Sequence, residues 1–407
     1  MARLLTFFII GISYSNLFAT NYYVAINGSD SNNGSEQSPW LTIQHAADFA
    51  AAGDNIYVKP GSYNERINSK NGGTSTNLRI SFKSLPKRTA IVSGFNLSHN
   101  YLRIEGFQIT NDLSGKSEDG ITSKGAYNEI IDNYIYNVKR TAIYSTGDHA
   151  IIADNRIYKS QMGIVTSGNN WIVEKNEVER MFMYGTMGDC DYSRFFGENG
   201  MIRKNYFHGS TSAETDPAHL DCFQTFDDGI NPMKNITIED NRCFDCDQGI
   251  MAEGHFAKVS TNLLVKNNIF AHSAAWGVCV EDIDKVQVIN NTFYDIGVHG
   301  VGISGPYGTN AVIKNNIFMN IGERAYMTGG GSNTGDFNLI FDCWKPIPVG
   351  TNDIVNTKDP MFINAANNDF HLNKDSPCIA AGDPATAVPS CPGGKNNIGA
   401  YDGCIEK

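Results

Sequence analysis

Carboxylates recur at matching places in three successive segments of this chain. DCFQTFD (221–227), DQGIMAE (247–253) and AWGVCVE (275–281) align on their apolar alternation. The alignment puts Asp227, Glu253 and Glu281 in one column and Asp221, Asp247 and Ala275 in another. If the segments are neighbouring strands, the columns repeat at about 4.8 Å. Carboxylates stacked that closely repel unless a cation or a proton intervenes. Ca2+ takes several carboxylate oxygens and suits such a ladder, with Asp228 beside it as a further ligand. Asp221 with Asp247 or Glu253 is equally a pair of the kind that divides acid and base roles. The plain alternative is a row of solvated acids at the edge of a fold.

Other reactive side chains gather around these segments. His219 stands in a Pro-containing loop just before the first one, placed to act as a base or ligand, or to pack on Phe223 or Tyr206. Arg194 offers a guanidinium for bidentate contact with a carboxylate or sulfate, and Lys258 is a further candidate base. Asp189 and Asp191 lie beside Arg194 and are read as a cover for a groove or as extra metal ligands. Gln224 and Gln248 are candidate polar contacts or ladder residues, and Trp276 is a candidate stacking surface or core residue. His255 and His299 read as surface or turn histidines.

The elements that must position these groups come from a repeat. An apolar alternating stretch, an Asn and a short turn return at Asn133, Asn155, Asn176, Asn205, Asn241, Asn268, Asn291 and Asn316, with gaps of 22, 21, 29, 36, 27, 23 and 25 residues. Period-two alternation rich in Val, Ile, Phe and Tyr predicts strands, and no copy holds a long amphipathic helix. Repeats of this length stack one coil per copy into a solenoid, here an all-β parallel β-helix. Asn suits the turns because its amide bonds local backbone and tolerates the left-handed conformation. The two long gaps mark insertions at 181–200 and 208–232, near the middle of the solenoid, where the polar candidates cluster.

Residues 1–19 read as an export signal, with Arg3 ahead of the apolar run Leu4 to Ile10 and Ala19 at its end. The chain is therefore expected to be secreted, extracellular or periplasmic. The single domain is expected over 20–407, with a cap and first coil at 20–67, including a helix from Leu41 to Ala51, repeat coils over 100–330 and a closing segment at 331–407. A net charge of −11 without a basic stripe speaks against nucleic acid. No stretch after the signal is long and apolar enough to span a bilayer. A capped solenoid is expected to be a monomer. Of nine cysteines, Cys243 and Cys246 form CxxC without the βαβ setting of a redox motif, Cys279 reads as core, and Cys378, Cys391 and Cys404 read as tail staples.

With the repeats in place, the opening YYVAINGSD…PWLTIQHAA…GDNIYVKPGSYNE and the ending DPMFINAANNDFHLNKDSPCIAAGDP…NNIGAYDG resemble secreted right-handed parallel β-helix proteins of the pectate lyase and alginate lyase type. The resemblance covers nearly the whole chain and implies a carbohydrate-active protein acting on an acidic polysaccharide. It implies Ca2+-assisted β-elimination, with Asp227, Asp228, Glu253 and Glu281 around the ion and His219, Arg194 or Lys258 as base. Asp221 and Asp247 join the catalytic candidates, and Gln224, Trp276 and Asp191 would line the substrate. Two alternatives stay open: a glycoside hydrolase using Asp221 with Asp247 or Glu253, and a noncatalytic glycan-binding surface protein. The chain departs from the family in lacking both an unmistakable Lys/Arg motif of the lyases and the paired-Asp pattern of polygalacturonases.

Overall fold

The computed structural model describes residues 19–185, 188–227, 232–254, 260–345, 350–386 and 396–400. The repeated alternation becomes a parallel β-helix. Each coil feeds a 14-stranded sheet that runs from Asn21–Val24 to Thr334–Asp336, one coil contributing both Gly197–Glu198 and Met201–Arg203. Its central residues form a buried stack, Ile130, Ile152, Val173, Ile202, Ile238, Val265, Val288 and Ile313, each in register with the next. The chain then turns at the recurrent Asn and continues into a second run of parallel strands, whose Phe270, Phe293 and Phe318 stack in the core at 5.3 and 4.9 Å.

The recurrent asparagines form one continuous ladder. Asn241 is representative: its Oδ1 accepts from the backbone N and from Nδ2 of Asn205 at 3.0 and 2.9 Å. Its own Nδ2 donates to Ile202 O and to Asn268 Oδ1, both at 2.9 Å. Both amide hydrogens and both acceptor directions are thus used. The pattern links Asn133, Asn155, Asn176, Asn205, Asn241, Asn268, Asn291, Asn316 and Asn338 and ends on Asp353 Oδ1. The left-handed conformation expected of these asparagines falls instead on the residue before each: Asp132, Asp154, Lys175, Lys204, Asp240, Asn267, Asn290, Asn315 and Phe337. Lys and Phe take it as well as Asp and Asn. The ladder, rather than the local preference of the corner residue, therefore sets the turn.

The N-terminal helix is shorter than expected, Ile43–Phe49, with Thr42 capping it and Glu65 accepting from the free N–H groups of Ile43 and Gln44. Ile43, Ala46 and Ala47 close the first coil. The first part of the 331–407 segment extends the far end of the solenoid, where Thr334–Asp336 and Leu339–Cys343 pair with the preceding coil. Its hairpin, Phe362–Asn364 with Asp369–Leu372, packs along the side, where Phe370 meets Phe244 and Tyr294 and Asn368 meets Arg242 and His272. Cys222 and Cys243 are joined by a disulfide between neighbouring coils. Cys378 is a buried free thiol, and Cys391 and Cys404 lie outside the described residues.

Truncating one rung should be felt well beyond that rung. Asn241→Ala strips the partners from two buried donors of Asn205, at about 1–3 kcal/mol for each orphaned group. Urea unfolding should show a loss of at least about 2 kcal/mol, and a loss under 0.5 kcal/mol would remove the ladder from its structural role.

Candidate functional site

The site lies on the outer face of the longer strands that follow the Asn turn. Tyr144, Val165, Arg194, Gln224, Met251, Cys279 and Gly302 stand in register on consecutive strands. Their neighbours Ile143, Ile164, Ser193, Phe223, Ile250, Val278 and Val301 point into the core. Cys279, expected in the core, therefore faces outward between buried Val278 and Val280. A groove of about 650 Å³ crosses the upper coils of this face and is lined by Tyr144, Met162, Val165, Arg194, Phe196 and Phe226, among others.

Part of the expected 181–200 insertion is a regular rung. Ser193–Phe195 pairs with Ile164–Thr166 on one side and with Phe223 and Gln224 on the other. The excursions before this rung and the next stack on each other at the corner: Met183 N donates to Glu214 O at 2.8 Å and Cys190 N to His219 O at 3.0 Å. Arg194 is thereby held beside two acids. Its Nε donates to Asp191 Oδ2 at 2.6 Å, its Nη2 bonds Asp189, and its guanidinium lies over the Phe226 ring at 5.8 Å. Burial works against its charge, but Asp191 and Asp189 more than offset this and raise its pKa.

Asp191 is fully enclosed and, besides Arg194, accepts the backbone N of Asp221 at 3.0 Å. It is a positioning residue for Arg194 rather than the direct substrate contact expected of it. Asp221 is 1% exposed, and neither carboxylate oxygen has a hydrogen-bond partner among the described residues. Burial first, then the charges of Asp191, Asp247 and Asp189, push its pKa up to about 8. Burial also raises Asp191, to about 6, against the pull of Arg194 and the Asp221 N–H. Asp221 is the member of this coupled pair that holds a proton at neutral pH, because it has neither partner.

The expected acid columns form only in part. Glu253 and Glu281 do pair in register, half-buried on the outer face. The strand before them is offset by one residue, so Phe226 takes the third place. Asp227 is buried, with Ser260 Oγ donating to its Oδ2 at 3.4 Å. In the other column Asp221 pairs with Gln248, not Asp247, whose Oδ2 instead accepts Leu220 N at 2.9 Å. Asp228, Lys258 and His255 lie outside the described residues. His219 is exposed in the corner loop and joins the site through its carbonyl. Gln224 stands next to Arg194, with Oε1 buried and without a partner among the described residues.

A Ca2+ ion at the four expected ligands is thus not supported as a column of three stacked acids. Of the expected set, Glu253 and Glu281 stand side by side on the outer face, and Ca2+ would need further oxygens there. Among the described residues, Glu177, Glu179 and His208 do bring ligand atoms within 4.8 Å of one another. They lie on the short strands of another face, and Arg156 already reaches both glutamates, at 3.6 and 3.0 Å.

Residues 22–179 match the model of the Pel9A-like right-handed β-helix region, and residues 255–386 match a general right-handed β-helix region. The fold superimposes on the crystal structure of pectate lyase Pel9A with a TM-score of 0.61, covering 94% of this chain and 96% of that one at 18% identity. The chain is a right-handed parallel β-helix. This β-helix is also 23% identical to pectate lyase L of Dickeya chrysanthemi over 94% of its own length and 90% of that protein. It is 25% identical to the uncharacterised protein YwoF of Bacillus subtilis (strain 168), over 87% and 91% of the two chains.

Sequence reasoning offered the Phe and Tyr residues of the insertions, which include Phe196 and Phe226, as sugar-stacking groups, but missed Tyr144 in the lining and the Cys222–Cys243 bridge. The outward phase of the alternation carried the first signal, and the 21-residue, coil-length separation of the cysteines carried the second.

The proton on Asp221 fixes a pH dependence. Between the ordinary carboxylate range and about pH 8, the unfolded chain has this group ionised while the native protein keeps it protonated. The native state then binds more protons, so this group's contribution makes stability fall as pH rises through that window. Asp221→Asn has no proton to lose, and its urea stability should fall less between about pH 5 and pH 8 than that of the parent. Equal falls in both proteins would show that Asp221 is not the proton holder.

Proposed function

We propose that this protein is an exported carbohydrate-active enzyme that cleaves an acidic polysaccharide by β-elimination. The observation that carries the reading is Arg194, mostly buried but lining an aromatic groove and held by two acids. A guanidinium fixed in this way pairs with a uronate carboxylate and stabilises the charge that develops as the neighbouring C–H is lost. Likeness to two pectate lyases over nearly the whole chain adds support. Tyr144, Phe196 and Phe226 offer apolar area to sugar rings. His219, exposed beside the Arg194 rung, and Lys258 are the candidate bases. Ca2+ bound at Glu253 and Glu281 would neutralise a further carboxylate of the substrate.

Asp221 favours a second reading. A carboxylic acid that keeps its proton near neutral pH is what glycoside hydrolysis asks of its general acid, with Asp247 as the neighbouring carboxylate. The burial of Asp221 opposes it, because a substrate oxygen would reach the acid only after its cover moved.

Purified protein should be incubated with polygalacturonate, alginate and neutral glycans, with Ca2+ or with chelator. Ultraviolet absorbance of unsaturated product and new reducing ends should be followed together. Elimination predicts both signals on an acidic glycan, and Arg194→Ala should lower kcat/KM about 100-fold. Reducing ends without absorbance would replace elimination by hydrolysis, and silence on every glycan would reject the enzymatic reading.

A further inference from the structure

Four rungs below Arg194 the outward column reaches Gly302, and the place of its missing side chain is filled. A β-carbon built on Gly302 would lie 2.4 Å from Cζ3 of Trp276 and 3.4 Å from Cη2. Trp276 belongs to the preceding strand, where its own register partner is His299. Its indole thus reaches forward along the outer face and covers the glycine, which explains why Gly302 is buried although it stands in an outward position. The His299 ring meets the indole nearly edge-on, with centroids 4.5 Å apart and planes at 74°. His299 is itself 8% exposed and anchored by Glu323, with Nε2 3.3 Å from a carboxylate oxygen. It is a buried brace, not the surface histidine that the sequence suggested. The indole is therefore wedged between a seat with no side chain and a rigid ring edge. Its own surface is only part-buried.

We propose that Trp276, seated on Gly302 and braced by His299, is a distal sugar-stacking platform on the same face as Arg194. It would grip a longer polysaccharide several residues away from the cleavage point. The proposal rests on the carbohydrate reading given above. A glycan lying along the solenoid would pass from the Arg194 rung over Gln224, Met251 and Cys279 to the indole. At about 4.8 Å per strand this is a run of about 14–19 Å, too far for a disaccharide held at Arg194. Flat indole faces suit the apolar faces of sugar rings, and an indole that is already fixed loses little entropy on binding.

The test uses di- to hexagalacturonate, with affinity read from isothermal titration calorimetry and contact at the indole from tryptophan fluorescence in a Trp344→Phe background. That change removes the most exposed of the four tryptophans, while Trp40 and Trp171 are buried. Trp276→Ala should abolish the fluorescence response and weaken hexagalacturonate about tenfold, leaving digalacturonate unchanged. Gly302→Ala should unseat the indole and reproduce that length-dependent loss, and the two changes together should lose no more than either alone. In kinetics, KM for the long substrate should rise with kcat held. Equal losses for short and long oligomers, or none, would overturn the platform. If wild-type protein still binds and cleaves the hexamer with Arg194 required, the carbohydrate reading survives that failure. If wild-type protein binds none of these oligomers, the platform falls, and the carbohydrate reading is decided by the wider set of glycans above.

Discussion

Everything in this molecule hangs on the stacked asparagine amides. Each coil must turn, and each turn leaves backbone groups that no strand ladder reaches. The Asn side chain supplies the missing partners and at the same time bonds the next Asn. In a low-dielectric interior such a satisfied chain of amides is worth more than its parts, and a broken one costs more. The ladder therefore forces successive coils to turn at the same place. Inserted residues are pushed into excursions at other corners, so the 29- and 36-residue coils still present regular rungs on the outer face.

The site is the consequence of that enforced register. Arg194, Asp191 and Asp221 come from two coils whose long excursions stack on each other at the corner. Asp189, Asp191, Asp221 and Asp247 then lie close together, and the guanidinium of Arg194 bonds only the first two. Asp221 keeps its proton, first because it is buried and then because its acidic neighbours repel a further charge. The fixed Arg194 is left with a face toward the groove. Rigidity on this face comes from the solenoid core below it, from the Cys222–Cys243 bridge between neighbouring coils, and from the C-terminal hairpin packed along an adjoining side.

The outer face is built with the economy of a repeat. One position per coil points outward at each column, so a single substitution changes one place along a lane rather than a whole pocket. Tyr144, Arg194, Gln224, Cys279 and Gly302 share a column yet differ in charge, size and hydrogen-bonding capacity. The glycine in that series has meaning only through its neighbour, because the indole of Trp276 occupies its place.

Residue pattern alone dictates the solenoid, the ladder asparagines, the capping helix and the middle of the chain as the place where polar chemistry gathers. These follow from period-two alternation and a recurring Asn, both local and repeated many times over. It also singled out Arg194, Asp221, Glu253 and Glu281, because charged residues in apolar strands stand out. It could not decide their grouping. Coil lengths are uneven, so DCFQTF meets the next strand one residue away from where its apolar pattern alone would put it. In a strand a one-residue slip reverses the face, which moved Phe226 into the Glu253 column and carried Asp227 inside. Only the tertiary structure decided that Asp191 serves Arg194, that Asp221 stands unpartnered and that Cys279 faces out, because each depends on which coil lies next and how far its excursion shifts the register.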